Sequence, residues 1–296
     1  MEKMEMTEIS IPVPWGIIAG FVIGDPLKPP VLCVHGFQDN SNSFLQLLPL
    51  LSKSFYYICI DLPSHGKSCH FPDGMLMLHM IFIFSLKRVV DYFKFEKIHY
   101  MGHSFGGVLG ILFSCIFPEH VEKLIVIDTF FPTVASTDHT AKMLKYLIFK
   151  LFEIETKRLS QSPLYSMNEI LEKMLQTRKT QLTPKLAEQM ILRSCIQVED
   201  NKFQISNDLR LKLKVPLILT SKQAEFVLDR LVCSILILDS SEKTEKDLKE
   251  PYQKYLMKKK NVVLKIVEGD HDMHMVFPER LAPIINSFLI IHNSRL

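Results

Sequence analysis

Residues 99–110 read HYMGHSFGGVLG and contain the pattern Gly102-x-Ser104-x-Gly106. The chain has only 11 glycines among 296 residues, so composition alone would produce this pattern in on the order of a few chains per hundred. The flanks say more than the letters. Ile98–Met101 reads as a short strand, and a helical pattern runs from Phe105 to Phe117. On a sharp strand-to-helix turn a serine is held in a strained backbone that projects its Oγ outward, and small residues on either side let strand and helix approach. An ordinary serine between glycines would explain neither flank. The chemistry such a serine performs is attack on a carbonyl. Its hydroxyl is a weak nucleophile at neutral pH, so it needs a general base, and the base needs an acid to orient it.

Hydrolases that carry their serine on such a turn place acid and then histidine after it in chain order. The last strand-like run, Val262–Val267, leads into Glu268-Gly269-Asp270-His271-Asp272-Met273-His274, so two histidines compete for the role of base. His271-x-x-His274 also has the spacing of a metal pair, but no third ligand stands nearby in the sequence and no metal is expected. His103 adjoins the nucleophile; a sequence neighbour on the turn projects away from it and is read as packed. Asp128, directly after the strand Leu124–Ile127, is one candidate acid, although Asp128-Thr129 also reads as a simple turn or helix cap.

These residues need a scaffold. Trp15–Ile23, Val31–Val34, Tyr57–Ile60, Ile98–Met101 and Leu124–Ile127 read as short strands, several of them continuously apolar as strands covered on both faces must be. Helical patterns intervene at Ser85–Phe93 and Phe105–Phe117, and strand–helix alternation implies a parallel sheet with right-handed crossovers. After Pro132 helix signals dominate to about Leu228: Met143, Leu147, Leu151 and Ile154 share a face, Ser166-x-x-Glu169 is a capping box, and Thr183-Pro184 opens a further helix. Strands return at Ser234–Leu238 and Val262–Val267, and a helix over Pro278–Ile291 closes the chain. The expected organisation is a core of residues 1–132 and 229–296 with a helical cap at 133–228, set over the C-terminal edge of the sheet where open α/β sheets place their sites.

Composition narrows the alternatives. A net charge of +3 with 47% hydrophobic and 23% charged residues is ordinary for a globular chain and gives no case for nucleic acid. Lys258-Lys259-Lys260 reads as a solvated helix end. The apolar run Met75–Leu86 is too short for a transmembrane segment and reads as a buried helix. Cys33, Cys59, Cys69, Cys115, Cys195 and Cys233 form no C-x-x-C, no Asn-x-Ser/Thr sequon occurs, and the N-terminal MEKMEMTEIS is too polar for a signal peptide. A reducing, intracellular compartment is expected.

Taken together these motifs resemble the α/β-hydrolase fold, and more closely the serine hydrolase-like proteins of animals, over nearly the full length. The resemblance is carried by Val13-Pro14-Trp15-Gly16, Val34-His35-Gly36-Phe37-Gln38-Asp39-Asn40, Asp61-Leu62-Pro63-Ser64-His65-Gly66-Lys67-Ser68, the GHSFGG motif, Asp208-Leu209-Arg210-Leu211 and the GDHxxH ending. It implies a mostly parallel central sheet flanked by helices, with the helical lid inserted before the last two strands. It implies His271 as base, since the family's histidine lies seven residues before the proline of the last helix, here Pro278, and it leaves His274 to packing. It implies an oxyanion hole built from the backbone N–H groups of Phe37 and Phe105. It also implies an acid in the loop after Ser234–Leu238, where Asp239-Ser240-Ser241-Glu242-Lys243 lacks the usual glycine and best offers Glu242. Glu242 and Asp128 therefore both stand as candidate acids. The family's usual glycine at position 64 is replaced by serine, and the Asp61–Ser68 segment is read as a structural turn.

The function implied is that of a serine esterase or thioesterase acting on a small apolar acyl substrate with no cofactor. Serine at 104 argues against haloalkane and epoxide hydrolysis, which use an aspartate nucleophile on this fold. A non-catalytic ligand-binding protein on the same fold is the alternative, suggested by the altered acid loop, and a cofactor-free lyase or C–C hydrolase is a third possibility. The ending Ser294-Arg295-Leu296 is similar to the Ser-Lys-Leu peroxisomal address. The peroxisomal import receptor is therefore an expected partner, with cytoplasmic residence otherwise. Deleting Leu296 is expected to abolish peroxisomal accumulation of a protein tagged at its N-terminus; diffuse cytosolic fluorescence of the intact chain would refute that address.

Overall fold

The computed structural model describes residues 5–129, 140–158, 163–178, 180, 182–213, 215, 217, 219–241 and 251–291. Eight strands form one sheet: β1 (Met6–Val13), β2 (Gly16–Ile23), β3 (Pro30–Val34), β4 (Tyr56–Ile60), β5 (Ile98–His103), β6 (Val121–Ile127), β9 (Ser234–Ser240) and β10 (Val262–Val267). Their spatial order is β1-β2-β4-β3-β5-β6-β9-β10. Only β1–β2 and β2–β4 pair antiparallel; the five remaining pairings are parallel.

The continuous apolar runs follow from two cores, one on each face. In β4, Tyr56, Ile58 and Ile60 enter one core while Tyr57 and Cys59 enter the other. Leu32 and Val34 against Val31 and Cys33 in β3, and Ile235 and Ile237 against Leu236 and Leu238 in β9, divide in the same way. The period-two alternation of a strand thus becomes invisible in the sequence, because both faces are buried. On the first face lie α1 (His79–Tyr92) and α2 (Phe105–Ile116). α2 is buried nearly all round, from Gly106 to Cys115, as a helix apolar on every side must be. On the second face α9 (Pro278–Ile290) buries Leu281, Ile285 and Leu289 at four-residue spacing. α7 (Pro251–Met257) precedes β10, and the short α8 (Met273–Val276) lies just before α9.

Several boundaries differ from the sequence expectation. β1 is an additional edge strand. Pro12 is tolerated there because β1 pairs only with β2 and its other side carries no ladder that needs an N–H. α1 begins only at His79, so Met75–Leu78 precede the buried helix. The cap holds α3 (Thr140–Arg158), α4 (Met167–Thr177) and α5 (Pro184–Ser194), and also an antiparallel hairpin of β7 (Cys195–Glu199) and β8 (Lys202–Ile205) where only helices were expected. Asn201, at φ +54°, turns it. The capping box at Ser166 and the Thr183 cap form: the Ser166 N–H donates to Glu169 Oε2 at 2.7 Å, and the Leu186 N–H donates to Thr183 Oγ1 at 3.4 Å. α6 (Ser221–Asp229) sends Ala224 and Leu228 into the first core. It lies almost wholly within the stretch 133–228 expected as cap, yet packs against the sheet through these two residues. Among the described residues no helix is long and apolar enough to cross a membrane. Residues 130–139 and the C-terminal Ser294-Arg295-Leu296 lie outside the described residues.

Buried arginines fasten the cap. Arg193 of α5 donates through Nε to Asp61 Oδ2 at 2.8 Å, and Asp61 also accepts the Ser41 and Lys67 N–H groups at 2.8 and 2.9 Å. Arg210 donates to Asp208 Oδ2 at 2.8 Å and to the Phe71 and Pro72 carbonyls at 2.6 and 2.7 Å. Asp61 thus anchors α5 to the segment Asp61–Ser68. Ser64 takes the left-handed conformation (φ +70°) that a glycine would adopt without strain, and its Oγ accepts the Phe71 N–H at 3.0 Å. Truncating Arg193 leaves the fully buried Asp61 carboxylate with fewer partners. Arg193→Met is expected to cost about 3 kcal/mol, read as a lower urea midpoint, with part of the loss recovered in Arg193→Met/Asp61→Asn. Additive losses in that double variant would show the pair to be uncoupled.

Candidate active site

Ser104 stands between β5 and α2 with φ 49° and ψ −114°, a region that L-residues occupy only when the surroundings impose it. The imposition is steric. A Cβ on Gly106 would lie 2.1 Å from the Val34 carbonyl oxygen, and one on Gly102 would lie 2.4 Å from the Gly106 backbone. Strand and helix meet so closely that the chain can turn only through a strained residue, and Oγ is pushed outward.

Asp128 occupies the matching position one strand over. In the parallel pairing of β5 with β6, His103 stands beside Ile127, and in that of β6 with β9, Ile127 stands beside Leu238. Ser104 and Asp128 are each the next residue along. The Ser104 N–H donates to the Ile127 carbonyl at 2.8 Å and the Asp128 N–H to the Leu238 carbonyl at 2.7 Å. Both residues have positive φ, Asp128 at +52°, a conformation that aspartate tolerates better than most. The sheet thus places a hydroxyl and a carboxylate on neighbouring strand ends. The carboxylate is buried, and its Oδ1 accepts the Ser240 N–H at 3.0 Å.

His271, in the loop after β10, bridges the two. Ser104 Oγ lies 3.0 Å from His271 Nε2, and His271 Nδ1 hydrogen-bonds Asp128 Oδ2. With a carboxylate on Nδ1, the proton sits there and Nε2 is the acceptor for the serine hydroxyl. Of the two candidate acids Asp128 is the one placed against His271; Glu242 lies outside the described residues. His274 points elsewhere, into a buried stack with the rings of Phe44 and His103 at 5.7 and 4.0 Å. Burial pushes its titration well below the usual histidine range. His103 is buried too, and desolvation lowers its pKa to about 4. It is therefore neutral at pH 7, and its Nε2–H donates to the His271 carbonyl at 2.9 Å.

Phe37 and Phe105, the expected oxyanion donors, lie close together, their rings meeting at 5.2 Å. Phe105 is the first residue of α2, and no partner within the helix exists for its N–H. Phe37 follows His35-Gly36. The Leu62 N–H donates to His35 Nε2 at 2.9 Å, so Nδ1 carries the ring proton and donates it to the Gly36 carbonyl at 2.7 Å. That carbonyl and the Phe37 N–H belong to one planar trans peptide. Holding the oxygen on one side aims the N–H to the other. Among the described residues neither N–H is spent on a hydrogen bond.

A cavity of about 1000 Å³ opens over these groups, between the core loops and the cap. Ile170 and Met174 of α4 and Ile205 of β8 give it apolar wall, while Lys173, Lys212 and Asp208 make it less uniformly apolar than the cap helices suggest from sequence. Asp39, His103 and Asp272 form a donor cluster compact enough for a metal ion. The guanidinium of Arg178 lies there, bonded to both carboxylates. This cluster was missed by sequence reasoning: Arg178 stands in the polar stretch Gln176–Thr180, which reads as a solvated loop.

The sequence model described as alpha/beta hydrolase fold matches residues 29–182. The human protein named Serine hydrolase-like protein 2 is 31% identical, over 96% of this chain and 94% of its own. Among solved structures, a hypothetical protein from Pseudomonas aeruginosa PAO1 superposes with TM-score 0.85 at 23% identity, over 96% of this chain and 100% of its own. A thioesterase domain from the curacin biosynthetic pathway superposes with TM-score 0.78 at 19% identity, over 95% and 99%. At these identities the structural likenesses show the fold.

Strain at Ser104 is measurable. Glycine relieves a positive φ, at some entropic cost in the unfolded chain. Ser104→Gly is therefore expected to be about 1 kcal/mol more stable than Ser104→Ala, read from thermal or urea midpoints. Equal midpoints would show that the turn stores no strain.

Proposed function

Because the chain belongs to the α/β-hydrolase-fold family, we propose that it is a serine hydrolase that cleaves a carboxylic ester or thioester through an acyl-enzyme. The reading is carried by one observation, the continuous hydrogen-bonded chain from Ser104 Oγ through His271 to the buried Asp128.

In this reading Ser104 Oγ attacks the substrate carbonyl while His271 Nε2 takes its proton. The imidazolium so formed is stabilised by Asp128, which does not itself take the proton. Negative charge develops on the carbonyl oxygen and is met by the Phe37 and Phe105 N–H groups. Collapse of the tetrahedral intermediate expels the alcohol or thiol, which takes the proton from Nε2. Water then enters, gives its proton to the same nitrogen and attacks the acyl carbonyl; collapse of the second tetrahedral intermediate breaks the bond to Ser104 Oγ, which recovers the proton from Nε2 as the acid leaves. The residues act without a cofactor. The alternative of a non-catalytic binding protein began from the altered loop at 239–243; with Asp128 beside His271, that loop is not required to supply the acid.

A fluorophosphonate probe tests this directly. Wild type is expected to label and Ser104→Ala not at all. Loss of the base of an intact triad typically costs about a millionfold in turnover, so His271→Ala should label very slowly. Asp128→Asn should lose about ten-thousandfold, as the corresponding change does in a serine protease. Glu242→Ala should stay near wild type. A folded wild type that does not label favours the binding protein, and a Glu242→Ala defect larger than that of Asp128→Asn would reassign the acid.

A further inference from the structure

Arg178 belongs to the cap, at the end of α4, yet its two terminal nitrogens are spent on the core. Nη1 donates to Asp272 Oδ2 at 2.9 Å, and Nη2 is bonded to Asp39 Oδ1. Thr180, two residues on, donates its hydroxyl to the same Asp272 oxygen at 2.6 Å. Asp39 and Asp272 are only 5% and 3% exposed. They lie close together, since their oxygens and a His103 nitrogen fall within 4.8 Å of one another. Two carboxylates so near and so dry repel strongly, and a planar guanidinium is the side chain that serves two at once.

The carboxylates sit at informative places. Asp39 is two residues beyond Phe37, in the turn that its own N–H closes onto the Gly36 carbonyl at 3.1 Å. Asp272 directly follows His271, whose carbonyl is held from the other side by His103 at 2.9 Å. One cap residue therefore grips both the loop with the oxyanion donor and the loop with the base. Burial alone would raise the Asp272 carboxyl, but the Arg178 guanidinium holds it below the ordinary carboxylate range.

We propose that Arg178 is a positioning residue, through which the closed cap sets the Phe37 and His271 loops at their working separation. The proposal rests on the serine hydrolase reading. The cap then does more than roof the cavity: its guanidinium is the counter-ion that lets two loops of like charge lie side by side. Arg178 lines the cavity, but with both terminal nitrogens engaged it acts on the substrate through the loops.

The test compares wild type, Arg178→Ala and Arg178→Lys, each checked for folding by its thermal midpoint. Three readouts are hydrolysis of p-nitrophenyl butyrate, fluorophosphonate labelling, and amide hydrogen exchange over residues 36–43 and 269–277. Displacing a reacting group by about 1 Å costs on the order of a hundredfold. In Arg178→Ala, kcat and the labelling rate are expected to fall by about 10- to 100-fold with KM nearly unchanged. Exchange should quicken in both segments. Guanidinium chloride well below denaturing concentration should restore both rate and protection, and urea at the same concentration should not. Arg178→Lys, which neutralises charge but cannot fork, should fall between. Unchanged kcat in folded Arg178→Ala, or a raised KM with kcat retained, would overturn the proposal, the latter by making Arg178 a substrate contact. If wild type neither labels nor hydrolyses the ester, the serine hydrolase reading fails, and exchange decides on the clamp: unchanged protection in both segments refutes it, and guanidinium-reversible loss upholds it.

Discussion

The distance between β5 and α2 is the constraint on which the rest of the site depends. With no Cβ at Gly102 the start of α2 closes onto β5, and with none at Gly106 it closes onto the end of β3, and Ser104 is left in a backbone conformation that costs about 1–3 kcal/mol. That cost is met by packing elsewhere. α2 is buried from Gly106 to Cys115 in the first core, and the Ser104 N–H is tied to the end of β6. The strain is therefore held within the sheet and its first core, away from the cap.

The same sheet explains how Asp128 comes to lie against His271. Parallel strands run in step, so the residues just past paired positions stand side by side. Ser104 and Asp128 are such a pair on β5 and β6. The imidazole of His271 needs only to span neighbouring strand ends. The sequence admitted both because the family resemblance places an acid after the strand Ser234–Leu238, while Asp128 directly follows Leu124–Ile127.

What could be read in the sequence was whatever is decided locally. The central strands announce themselves as unbroken apolar runs, and Ser104 by the turn chemistry around it. β1 did not, although Glu8 and Ser10 alternate with Ile9 and Ile11 as in a half-buried strand, because Pro12 argues against a strand until its edge position is known. The cap hairpin did not, because Ile196 and Val198 are exposed on short strands; Asp200-Asn201 between two alternating runs was the available signal. Choosing between Asp128 and Glu242 required strand order, which is a property of the folded sheet. Arg178 was invisible for the same reason: nothing in its neighbours announces that two carboxylates 139 and 94 residues away converge on it.

The thiols carry a further consequence. Cys33 and Cys59 stand opposite each other on β3 and β4 within the second core, and Cys115 and Cys233 are buried in the first. Burial pushes the Cys115 thiol up to about 12 and the Cys233 thiol up to about 11, leaving little thiolate to react. The Cys195 thiol is also pushed up to about 11, but it is partly exposed at the start of the cap hairpin. Alkylation kinetics can therefore separate two kinds of event within one unlabelled chain. Modification at Cys33 or Cys59 counts molecules whose sheet has come apart, whereas Cys195 reacts without such opening and serves as the internal reference.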